Sequence, residues 1–319
     1  MSLLSAGLLL MLAACTPAPP AEIRLATNVW PGYEPLYLAR SLGLFNKTGI
    51  RLIEYPSATG TMRALKDGSI EAGALTLDEV LSLLDNKVDL SVILLLDESH
   101  GADAVVARPD INGLGGLRGS RIAAESSALG GYVLGRLLDK AGLALHEIRF
   151  VPLELNAMES AFAADKVDAV VCFEPVKSRL LAMGGKVVFD SSQLPGEIVD
   201  VLAVRSEALR RHPKSFKLLA EKWFLALAYL KANPEDAARR MQPRLRIAQN
   251  QVLSQFRGLR LGDRQHNHVF FDNPEHPPVK IATQLLKAMQ EQGLTQHKPE
   301  LQQLFRPTTE FSSPDKAAP

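Results

Sequence analysis

Apolar and polar positions follow two rhythms along this chain, and the change from one to the other first shows over residues 23–45. Ile23-Arg-Leu-Ala-Thr27 alternates with a period of two, which predicts a half-buried strand. A loop holding Trp30, Pro31, Gly32 and Tyr33 follows. Leu36, Leu38, Ala39 and Leu42 then give a helix one apolar face, and Gly43 stops it. The unit recurs as strands over 50–55, 70–76 and 88–96 with helices over 59–66 and 78–85. After a glycine cluster at Gly113, Gly115, Gly116 and Gly119 it starts again. Strands are predicted over 121–125, 148–153, 168–173 and 186–189, with helices over 129–141, 158–164 and 176–183. An apolar stretch at 198–204 reads as a return crossing, after which the period is helical over 215–231, 234–241, 247–256 and 279–292. A strand-like piece is expected at 269–271.

Continuous apolar strands between amphipathic helices imply an α/β fold with mostly parallel sheets covered on both faces. At 319 residues the chain exceeds one ordinary domain, and 46% hydrophobic residues are ample for two cores. The break at the glycine cluster divides it into lobe one (22–107 and 200–292) and lobe two (108–199). Crossings near 104–110 and 197–204 would then serve as hinges. Residues 293–319 are polar and proline-bearing and are expected to form a disordered tail.

Charge narrows the classes. With 36 Lys+Arg against 35 Asp+Glu the net charge is +1, and no basic stripe suits a nucleic acid. Cys172 lies in an apolar strand and reads as a small buried hydrophobe. Cys15 closes Leu12-Ala-Ala-Cys15 after an apolar segment too short to span a bilayer. That ending resembles the bacterial lipobox, which implies a signal peptide over 1–15 and lipidation of Cys15. Residues 16–21, Thr-Pro-Ala-Pro-Pro-Ala, would be the tether.

In such a fold ligands bind where strands run into helices. Five such places are Asn28–Tyr33 (Asn28, Trp30, Gly32, Tyr33), Ser57–Thr59, Thr76–Asp78, Ser126–Ser127 and Glu174 with its neighbours. Each can equally be plain helix capping: Thr76-x-x-Glu79 matches a capping box, and Ser126 or Ser127 makes an ordinary cap. Clustered helix starts favour an anion. Asp78, Asp97, Glu125 and Glu174, with no matching lysine or arginine, oppose one. The balance favours a neutral or cationic organic molecule, a flat heteroaromatic ring stacking on Trp30 and Tyr33 with Glu174 accepting its N–H bonds. His100 stands at the edge of the expected cleft, either as a ligand contact or as a polar loop residue. His266-x-His268 has no third ligand at metal spacing, so neither metal nor cofactor is expected. No nucleophile elbow and no phosphate loop is present, so the chain does not read as an enzyme.

Asn28-x-Trp30-x-Gly32-Tyr33, Ala39-Arg40-x-x-Gly43-x-Phe45, Pro56-Ser-Ala-Thr59, Asp67-Gly-x-Ile-Glu-Ala-Gly73, Lys140-Ala-Gly-Leu143, Phe173-Glu-Pro175 and Asp190-Ser-Ser-Gln-Leu-Pro-Gly196 occur in that order. Together they resemble the periplasmic binding proteins for nitrate, sulfonates, taurine and thiamine-pyrimidine precursors, over roughly residues 22–290. The resemblance implies a type II periplasmic-binding-protein fold with a hinge and interlobe cleft. It implies a monomer that captures a small-molecule ligand and delivers it to an ABC permease in the inner membrane. The same domain could instead serve a membrane signalling protein as a ligand sensor, or bind an oxyanion such as nitrate or a sulfonate.

Overall fold

The computed structural model describes residues 22–126, 128–275 and 277–307. β1 (Ile23–Thr27), β2 (Ile50–Glu54) and β3 (Ala72–Thr76) run parallel, joined by α1 (Glu34–Ser41) and α2 (Ala58–Asp67). α3 (Leu77–Asp85) leads to β4 (Leu90–Ser99). The chain then crosses into a second sheet through β5 (Asp103–Ala107), followed by β6 (Arg121–Ala124), β7 (Arg149–Pro152), β8 (Ala169–Phe173) and β9 (Lys186–Asp190). α4 (Ala128–Ala141), α5 (Leu155–Ala163) and α6 (Val176–Ala182) connect β6 through β9. β10 (Val199–Arg205) returns to the first sheet. After it come α7 (Ser206–Arg211), α8 (Pro213–Ala232), α9 (Pro234–Leu245), α10 (Gln249–Val252), β11 (Leu259–Leu261), α11 (Arg264–Asp272) and α12 (Pro278–Glu291). The strand orders are β11-β4-β10-β3-β1-β2 and β7-β6-β8-β5-β9.

Both sheets are mixed, where the apolar runs suggested mostly parallel ones. β10 is antiparallel to β3 and β4, and β5 is antiparallel to β8 and β9. The cause is the crossing itself. β1, β3 and β4 run toward the gap between lobes, whereas a strand arriving from the other lobe starts at the gap and runs away from it. β5 belongs to the second sheet, so the passages between lobes occupy 100–102 and 191–198, not 104–110 and 197–204. A polar knot joins the two passages: the Ser99 and Ser191 hydroxyls lie 2.8 Å apart, and the Gly101 amide donates to Ser191 Oγ at 2.6 Å.

Two further expectations are corrected. Residues 269–271 lie in α11, whose start is capped by Asp263 accepting from the His266 amide. That helix buries Asn267 and Phe270 three residues apart, a helical spacing that a short window misreads as alternation. Residues 293–307 are not a loose tail. Leu301 and Leu304 are buried, and Val92 pairs with this segment through Val92 N–H to Leu304 O (2.7 Å) and Arg306 N–H to Val92 O (2.8 Å). Residues 308–319 lie outside the described residues.

The lobes touch. Trp30 of lobe one meets Phe173 of lobe two edge to face, ring centroids 5.4 Å apart. Tyr132 of α4 is buried in the apolar cluster that also holds side chains of α3 and α12. No helix among the described residues is long and apolar enough to cross a membrane.

Candidate functional site

The cleft between the lobes holds a small, partly open cavity of about 20 Å³. From lobe one it is lined by Asn28, Trp30, Tyr33, Ala58, Thr76, Glu79 and Asp200; from lobe two by Asp103, Glu125, Leu129 and Phe173. The loop after β1 supplies the aromatic floor. Trp30 precedes a one-turn 3-10 helix at Pro31–Tyr33 that runs into α1, so Trp30 and Tyr33 stand on a backbone with little freedom.

Both rings are held by carboxyls. Trp30 Nε1 donates to Asp97 at 3.2 and 3.3 Å to its two oxygens, and the Tyr33 hydroxyl donates to Asp200 Oδ1. Asp97 and Asp200 are direct cross-strand partners on β4 and β10. Two like charges in that position oppose each other, and both carboxyls are out of water. Burial pushes Asp97 up to about 8, and burial together with the Asp97 charge raises Asp200 well above the usual carboxylate range. Gly32 belongs to the same packing. A Cβ there would lie 1.9 Å from Asp97 Oδ2 and 2.4 Å from Trp30 Nε1, so glycine is required for the close approach and not for ligand contact.

The cleft carboxyls share one environment. Glu79 accepts from the Thr76 amide at 3.1 Å, closing the capping box of α3, and burial beside Asp78 raises it well above its usual value. Burial pushes Glu125 up to about 7, with the Glu154 charge adding to it. Burial likewise pushes Asp103 up to about 7, against the pull of the Ser99 hydroxyl. Lys177 approaches from α6, but its ammonium donates to Gly101 O at 2.6 Å and lies 3.8 Å from Glu174. Among the described lining residues none is lysine or arginine.

The loop is also braced from outside. Arg244 on α9 pairs with Glu34 and with Glu54 (2.7 Å), donates to Asn28 O at 2.6 Å, and lies 3.6 Å over the Tyr37 ring. Burial pushes Glu34 up to about 7 even with that guanidinium beside it.

Of the residues expected from sequence, Asn28, Trp30, Tyr33 and Thr76 come together on the cleft wall. Ser57 is buried at the start of α2, next to the lining residue Ala58. Asp78 is buried behind Glu79, and Glu174 is buried while accepting from the Ser178 amide at 3.1 Å. Thr59 and the exposed Ser126 line a separate groove together with Arg63 and Lys66. His100 is exposed at the passage, its amide bonded to Gly258 O. Ser127 and Cys15 lie outside the described residues. His266 and His268 pair with Asp263 and Asp272, and no group of three candidate metal ligands occurs among the described residues. Cys172 is buried in β8, where burial raises its thiol.

Sequence reasoning missed Asp103 and Asp200 and gave Glu79 a capping role alone. It searched the carboxyl ends of strands, whereas Asp103 and Asp200 sit at the amino ends of the two antiparallel crossing strands. The available signal was a single acid inside or directly before an apolar run, in 103–107 and 198–204.

Comparison with known proteins fits this geometry. Residues 16–243 match the profile of the NMT1-like family. The taurine-binding periplasmic protein of Escherichia coli (strain K12) is 26% identical over 220 residues, covering 66% of this chain and 68% of that protein. The alkanesulfonate-binding protein of Xanthomonas axonopodis pv. citri, solved bound to MOPS, superposes with a TM-score of 0.76 at 18% identity, covering 91% of this chain and 99% of that one. A desulfurization enzyme superposes with a TM-score of 0.66 at 17% identity, covering 91% and 99%, so the fold is not confined to binding proteins. The family match spans more than half of the sequence: the chain belongs to the NMT1-like family and has the two-lobe fold of the periplasmic substrate-binding proteins that serve ABC importers.

Proposed function

We propose that this substrate-binding protein works in the periplasm as a single copy, anchored through a lipid on Cys15, and hands a small organic cation to an ABC permease. The anchor rests on the Leu12-Ala-Ala-Cys15 ending, and the family match begins directly after it, at residue 16. The ligand class rests on one observation. The cleft sets Glu79 and Asp200 of one lobe against Asp103 and Glu125 of the other, with Trp30, Tyr33 and Phe173 between them. A cation gains from the carboxylates and from the ring faces together. A ligand touching both walls binds the closed arrangement better than the open one, so capture and closure are one equilibrium. No covalent step is needed, and the buried Cys172 thiol is held protonated by its surroundings.

A sulfonate is the second reading, carried by the taurine-binding relative. Thermal shift of the soluble domain against small amines, amidines, cationic heteroaromatics, taurine, alkanesulfonates and nitrate separates the two. At about 100 times Kd a true ligand adds about 2.7 kcal/mol, a shift of several degrees. Stabilisation by a cation with none by the sulfonates supports the proposal. Stabilisation by sulfonates alone, or by nothing in the panel, overturns it.

A further inference from the structure

The cleft carboxyls differ in what their oxygens already hold. Glu79 accepts from the Thr76 amide, Asp200 from the Tyr33 hydroxyl, and Glu125 from the Leu155 amide at 3.4 Å. Asp103 is 3% exposed, borders the cleft, and leaves Oδ2 without any hydrogen-bond partner. An unmet acceptor away from water costs about 1–3 kcal/mol, which a donor arriving from the cleft would recover. This acceptor stands at the first residue of the strand that enters lobe two, while Asp200 and Glu79 face the same gap from lobe one.

Resting on the cation reading, we infer that the ligand is a planar amidinium or guanidinium carrying N–H donors on two edges. One edge donates to Asp103 of lobe two and the other to the carboxyl oxygens of Asp200 and Glu79 in lobe one. Planar N–H pairs meet carboxylate oxygens in parallel, charge-assisted bonds that an alkylammonium without N–H groups cannot make. A quaternary ammonium would bring the same charge and leave Asp103 Oδ2 unmet. Donors on two edges also tie one lobe to the other, which ties occupancy to closure.

The test is calorimetry of the full soluble domain with methylguanidine, acetamidine, tetramethylammonium and taurine, repeated on Asp103→Asn. The inference expects the amidinium or guanidinium to bind at least about tenfold tighter than tetramethylammonium. In Asp103→Asn that ratio should fall toward one, with the melting temperature of the unliganded variant no lower than wild type. Tetramethylammonium binding as tightly as the N–H cations overturns the inference and leaves the cation reading standing. Taurine binding with no cation binding, or no binding by any of the four, overturns both. A ratio unchanged in Asp103→Asn removes Asp103 from the recognition and overturns the two-edge geometry.

Discussion

Raising the pH should tighten ligand binding, and an anion would show the opposite sign. Asp103 and Glu125 are each held at about 7 chiefly by burial. A cation needs them ionised. At about pH 6 about a tenth of each is ionised, and at about pH 8 about nine tenths. If both must be charged, the competent fraction rises from about 1% to about 80%, and the apparent Kd falls about 100-fold, or about 2.7 kcal/mol. If one suffices, the change is about tenfold. The unliganded protein should move the other way. A carboxyl whose folded value is raised contributes stability that is complete below its ordinary value of about 4 and lost as pH rises through about 7. The melting temperature without ligand should therefore drop between about pH 4 and 7 and level off above that, while ligand added at a fixed concentration increasingly restores it. Calorimetry in two buffers of different ionisation enthalpy counts the protons directly, with about one expected to leave at about pH 7 if both groups must ionise and about half of one if a single group suffices. Affinity that is flat across this range, or that improves on acidification, would refute the reasoning.

Two other predictions concern the frame around the cleft. Arg244→Ala removes the guanidinium from fully buried Glu34 and from the Asn28 carbonyl; breaking such a pair costs about 3–5 kcal/mol, read as a melting temperature roughly 6–12 °C lower, and a loss below about 1 kcal/mol would mean Glu34 simply stays protonated. Gly32→Ala forces a Cβ against Asp97 and Trp30; it should displace the indole, abolish calorimetric binding and destabilise by about 1–3 kcal/mol, whereas normal affinity would show that the Trp30–Asp97 contact does not shape the site.

Much of the architecture could be read from periodicity, because each βα unit buries a continuous strand against one helical stripe. The first-lobe strands from Ile23–Thr27 to Ala72–Thr76 were legible in this way, and so was the aromatic loop carrying Trp30 and Tyr33. Strand direction was not, since β5 and β10 are as apolar as their parallel neighbours and nothing in an apolar run records its polarity. That one gap explains the misplaced passages as well as the absence of Asp103 and Asp200 from the expected site. Ser126 and Thr59 failed for another reason: both are near helix starts, but they face the outer groove beside Arg63 and Lys66. A helix start names a residue with a spare polar atom and says nothing of which way it points. The 293–307 segment looked like tail because only Leu294, Leu301, Leu304 and Phe305 are large and apolar there, too sparse a pattern to carry a period, yet enough to cover the edge of β4.

The converging helix starts, which on their own argue for an oxyanion, are already answered by the protein's own acids. Glu79 accepts from the Thr76 amide at the head of α3, Glu125 from the Leu155 amide that opens α5, and Glu174 from the Ser178 amide in the first turn of α6. Each carboxyl sits where the partial positive charge of a helix end is strongest. A sulfonate entering the cleft would have to displace these carboxyls from the helix amides or lie against them in a place with little water, and it would meet Asp103 and Asp200 as well. A cation meets no such conflict. The helix-end amides that would have gripped an anion are instead taken up by these carboxyls, and a positive guest favours their ionised form. The helix ends therefore favour a cation here, by way of the residues that cap them.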